Sequence, residues 1–162
     1  MGPTINIVKG TIYTAIFASI TIIIPITLFS LIRQYVVSGL PLQFEREDYT
    51  NVIFWVTALG LVICGCAFFK YSSPKQSIRK GVFALIQVIV NSLYIWSYNF
   101  SGAAEIIFDL EFGDTSGFLG LNLQQMILVY MGIYFLTIIL KVYDVIDFTI
   151  NREKIRSDRM KE

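Results

Sequence analysis

The stretch NLQQMILVYMGIYFLTIILKVYDVID, residues 122–147, decides the fold. Its first part, 122 to 140, holds 19 residues and no charge. At 1.5 Å per residue that is about 28 Å of helix, enough to cross ~30 Å of hydrocarbon. Lys141 and Asp144 follow, three apart. The lysine is either a working charge inside a membrane or the point where the membrane stops. Its four-carbon stem carries the ammonium toward the headgroups, and Asp147 comes about two turns after Leu140. Lys141 is therefore read as the exit, and its pairing with Asp144 as a weak interface contact.

Three more uncharged runs resemble this one in length: Gly10–Ile32, Asn51–Phe69 and Gly81–Ala104. Of the 162 residues 55% are hydrophobic and 15% charged, with a mean hydropathy of +0.64. Soluble domains carry roughly a quarter charged residues. A backbone in lipid must bond internally, so helices are expected. The reading is an all-α integral membrane protein: one domain over 1–162, built as a four-helix transmembrane bundle. The helices run over about 10–32, 51–69, 81–99 and 122–147. The first apolar run is too long for a cleaved signal and no A-x-A-like site follows it, so it is expected to stay.

Charge sets the expected orientation. The loop 70–80 holds Lys70, Lys75, Arg79 and Lys80 with no acid, and the end of the chain adds Arg152, Lys154, Arg156, Arg159 and Lys161. The loop 100–120 holds Glu105, Asp109, Glu111 and Asp114 with no base, and the loop 33–50 leans acidic. Short basic loops stay in the cytoplasm. Both termini are placed inside, 33–50 and 100–120 outside, in a multi-pass protein of the plasma membrane. Trp55 and Trp96 then sit near the outer interface. The tail 148–162 is expected to extend helix four into the cytoplasm, with pairs such as Glu153 and Arg156.

Each helix carries a small or polar seam stepping by three and four. The first gives Thr11, Thr14, Ala18, Thr21 and Pro25; the second gives Thr57, Gly60, Cys64 and Ala67. The third gives Ala84, Gln87, Asn91, Tyr94 and Tyr98; the fourth gives Tyr130, Tyr134, Thr137, Lys141 and Asp144. Small residues admit close backbone approach and polar ones bond across helices. Pro25 removes a backbone donor and crowds Thr21, so a kink is expected. Gln87 and Asn91 are the deepest polar pair; they act as interhelical glue or, with Tyr94, Tyr130 and Tyr134, line a permeation path. In the outer acidic loop Glu105 and Asp109 are four apart among apolar neighbours, which suggests a short interfacial helix.

The chain has no histidine, which excludes bis-His haem, His-ligated metal and His general-base chemistry within it. Cys64 and Cys66 are read as small packing residues. No catalytic constellation is present in the sequence, and no cofactor, metal or nucleic-acid partner is expected. Three functions are weighed. The first is a non-catalytic subunit or assembly component of a membrane complex, whose partners are lipid and other membrane subunits or copies of itself. The second is a small channel or facilitator lined by helices three and four. The third is a membrane enzyme with an outer carboxylate metal site.

Overall fold

A computed structural model describes residues 3–37, 46–74, 77–112 and 115–151. The chain folds as α1 (Pro3–Ala18), a π-helical turn (Ser19–Ile23), α2 (Ile24–Val37), α3 (Arg46–Ser72), α4 (Ile78–Phe100), β1 (Glu105–Phe112), β2 (Thr115–Asn122) and α5 (Gln124–Ile150). Four segments are long and apolar enough to cross a membrane: Thr4–Gln34, Tyr49–Ser72, Ile78–Phe100 and Gln124–Ile150. The first is α1, the π-turn and α2 in one continuous run. The chain is thus a multi-pass membrane protein whose membrane-length segments are all helical.

Pro25 accounts for the break in the first span. It has no N–H to offer the carbonyl four residues back, Thr21, and its ring crowds that turn. The helix answers by loosening to i→i+5 pairing, with the Ile24 N–H bonded to the Ser19 carbonyl. The π-helical turn lies just ahead of the proline.

Local chemistry fixes the ends of α4. Ser77 is extended (φ −103°, ψ 141°), and its hydroxyl accepts from the Lys80 N–H at 3.2 Å. That is an N-cap contact. At the other end the Ser101 N–H reaches the Ser97 carbonyl at 3.1 Å, and Gly102 follows at φ 79°. A left-handed residue just past the helix is where glycine costs least. The Asn122 side chain accepts from the Gln124 N–H at 2.9 Å and so opens α5.

The helices pack in sequence order. The first span lies on α3, α3 on α4, and α4 on α5. Phe29, Val52, Val56, Ile63, Tyr94 and Ala103 form the buried core, backed by Phe17, Ile26, Leu59, Val90 and Tyr98. The first span, α3 and α4 build this core with Ala103 beyond them. Among the described residues of α5, Ile127 is the buried one. The expected bundle is therefore a three-helix core with α5 laid along α4. Large apolar side chains such as Ile20, Phe54, Leu61, Phe135 and Leu140 face outward, the surface hydrocarbon solvates.

The segment expected to hold a short interfacial helix is instead a β-hairpin. β1 and β2 pair antiparallel, with Glu105 opposite Asn122 and Phe112 opposite Thr115. The Leu123 N–H bonds the Ala104 carbonyl at 2.8 Å beneath the last strand pair. The sequence period explains the difference. Ile106, Phe108, Leu110 and Phe112 alternate with Glu105, Ile107, Asp109 and Glu111, a repeat of two that a strand satisfies and a helix scatters. The helical tail is met as far as Ile150; the rest of that expectation, 152–162, lies outside the described residues, as does Asp114.

Candidate functional site

Polar contacts tie different helices together, two of them at α4. The first centres on Tyr94 in α4, which is 8% exposed. Its hydroxyl donates to the Thr21 carbonyl at 2.9 Å. This is the carbonyl that Pro25 leaves without its α-helical donor. Tyr94 has one proton and has given it to that carbonyl, so the 3.1 Å contact with the Tyr98 hydroxyl is a bond donated by Tyr98. α3 closes the node. Gly60 packs so tightly that a Cβ there would meet Ile22 Cγ1 at 2.6 Å and the Thr21 carbonyl oxygen at 3.3 Å. Cys64 follows one turn after Gly60, buried like Thr21. Cys64 and Cys66 are both buried free thiols.

The second contact joins α3 to α4. The Lys70 ammonium donates to Gln87 Oε1 at 3.1 Å and lies 4.9 Å from the Tyr71 ring centroid. Gln87 is 2% exposed. Tyr71 in turn stacks on Tyr13 of α1, with centroids 3.8 Å apart. Sequence reading placed Lys70 in the loop 70–80. In the structure it is helical, and its side chain turns back along α4 to an amide nine residues past Ile78, about 13 Å along the axis.

Four threonine hydroxyls of the seams bond within their own helix: Thr11 to the Ile7 carbonyl, Thr14 to that of Gly10, Thr21 to that of Phe17 and Thr137 to that of Ile133. Outside the seams, Ser97 bonds the Tyr94 carbonyl in the same way. These are i−3 and i−4 back-bonds. They satisfy the hydroxyl, so what the small residues chiefly contribute across helices is close approach. Gly10 shows this too: a Cβ there would sit 3.0 Å from Ser72 Cβ.

The predicted seam of Gln87, Asn91, Tyr94, Tyr130, Tyr134 and Thr137 is thereby divided. Gln87 and Tyr94 enter the core and are bonded there. Asn91, Tyr134 and Thr137 are half-buried, and Tyr130 is 46% exposed. The Asn91 amide and the Tyr130 and Tyr134 hydroxyls have no hydrogen-bond partner among the described residues. Lys141 and Asp144 meet at 2.6 Å, with side chains 36% and 44% exposed.

At the opposite end of the helices, the Arg33 guanidinium lies 4.7 Å from the Tyr49 ring centroid and links α2 to α3. Trp55 packs edge-on against Phe100 at 5.1 Å. Glu105, Asp109 and Glu111 fall at alternate positions of β1. No family model, no curated relative and no solved structure matches the chain.

Proposed function

We propose that the chain is a non-catalytic subunit or assembly component of a membrane protein complex. It lies in the plasma membrane with both termini and the segment 70–80 on the cytoplasmic side, as the basic loops require. The observation that supports this reading is Asn91. It stands near the middle of α4, half-buried, and its amide is unpartnered among the described residues. An amide in hydrocarbon without a partner costs several kcal/mol. A neighbouring transmembrane helix that supplies a donor and an acceptor removes that cost. Tyr130 and Tyr134 on α5 offer further hydroxyls to the same kind of neighbour.

The test is the size of the assembly extracted from native membranes in mild detergent. An Asn91→Leu variant should run as a smaller species than the parent, with unchanged helical content by circular dichroism. A parent that runs as a lone monomer, or an Asn91→Leu assembly of undiminished size, refutes the reading.

A further inference from the structure

We propose that Lys70, Lys80 and Lys141, gathered where α3 ends and α4 begins, bind the phosphate of an anionic phospholipid headgroup. The three cations come from three helices. Lys70 is two residues from the end of α3, Lys80 is in the first turn of α4, and Lys141 is two thirds of the way along α5. Gly81 lets α5 approach: a Cβ there would lie 3.3 Å from Val145 Cγ2 and 3.4 Å from Phe148 Cδ2. Val145, which Gly81 admits, stands one turn past Lys141, and the Lys70 ammonium rests on α4 at Gln87.

The charges are not balanced among the described residues. Asp144 pairs with Lys141 at 2.6 Å. Among the described residues, the partners of Lys70 are the neutral Gln87 amide and the Tyr71 ring. Three cations less one carboxylate leave a net +2 on the cluster. An ammonium half-buried at the rim of hydrocarbon, with like charges beside it, is costly unless an anion joins it. Gln87 adds the second independent feature. Its Oε1 accepts from Lys70, and its amide N–H groups, which make no hydrogen bond among the described residues, are not fully enclosed by protein. Ammonium and amide donors side by side suit a phosphate oxygen. Headgroup phosphates stand at the level where α4 begins, beside Lys80, and basic pockets between transmembrane helices hold them. The inference is independent of the subunit reading, because it concerns the isolated chain.

The experiment is a thermal unfolding titration of the purified chain in neutral detergent, with native mass spectrometry counting retained lipids. The added probes are phosphatidylglycerol, phosphatidylcholine and sodium phosphate. Phosphatidylglycerol should raise the midpoint and be retained, and the other two should do neither. Lys70→Gln and Lys80→Gln should each weaken phosphatidylglycerol binding about fivefold. Arg79→Gln, an exposed charge on the same turn as Lys80, should change it less than twofold. Lys80→Gln carries the test if Lys70→Gln fails to fold. Equal responses to phosphatidylglycerol and phosphatidylcholine overturn the proposal. So does unchanged binding in the lysine variants, or an equal loss in Arg79→Gln. Binding of sodium phosphate as tight as that of the lipid overturns the lipid assignment in favour of a soluble anion.

Discussion

Replacing Tyr94 by Phe removes one oxygen from a buried ring and tests how the first span is held. The lost hydroxyl donates to the Thr21 carbonyl at 2.9 Å and accepts from Tyr98. Hydrogen bonds between transmembrane helices average ~0.6 kcal/mol and reach about 1.7. This one belongs at the upper end. The Thr21 carbonyl has no α-helical donor, because residue 25 is proline, and a buried carbonyl left unpaired costs about 1–3 kcal/mol. The expected destabilisation is about 1–2 kcal/mol, read as reversible unfolding in mixed micelles of mild detergent and dodecyl sulfate. The sharper reading is a double-mutant cycle with Pro25→Ala. Alanine restores an N–H four residues after Thr21, so the carbonyl no longer depends on Tyr94. The cost of Tyr94→Phe should then fall by about half or more, a coupling of order 0.5–1 kcal/mol. Equal costs in the two backgrounds would refute the link between the proline and the tyrosine. A Tyr94→Phe variant as stable as the parent would show that the bond contributes nothing.

Two further outcomes follow from packing and charge. Gly60→Ala drives a methyl to 2.6 Å from Ile22 Cγ1, whereas a Cβ at Gly65 meets nothing within 4 Å. The first should lose about 1–3 kcal/mol and the second should be neutral within ~0.5, by the same unfolding assay. For orientation, Arg79→Cys in a background with Cys64 and Cys66 changed to Ala should react with an impermeant maleimide only after the cell is opened. Labelling of intact cells would place the basic segment outside and reverse the proposed topology.

Much of the fold could be read from residue chemistry alone. Long uncharged runs with basic or acidic connections leave helices as the economical choice, and the four spans fall where hydropathy puts them. Pro25 announced a break, since a missing N–H is a property of the residue itself. The partner that compensates it was not legible. The acceptor is a backbone carbonyl, which every residue has, and only the packing of α4 on the first span selects Thr21 for Tyr94. Lys70 was hidden for a related reason. At the margin of an apolar run a lysine reads as loop, and the length of its stem allows it to turn back to Gln87. The hairpin was legible and passed over: Glu105 and Asp109 fit a helical spacing, but the parity of Ile106, Phe108, Leu110 and Phe112 over eight residues is stronger evidence. The Gly113-Asp114 dipeptide between the two runs is a tight-turn sequence of the kind that joins strands.

The back-bonded hydroxyls have a consequence for biogenesis. Thr11, Thr14, Thr27, Thr137 and Thr149 each satisfy their hydroxyl on their own helix. A hydroxyl so bonded can enter the bilayer before any neighbour arrives without presenting a bare donor to oil. Among the described residues, Tyr94 to Thr21 and Lys70 to Gln87 are polar bonds that must wait for a second helix, and both involve α4. The first span and α3 meet directly through the Tyr13–Tyr71 stack, and α4 adds the hydrogen bonds that tie it to both.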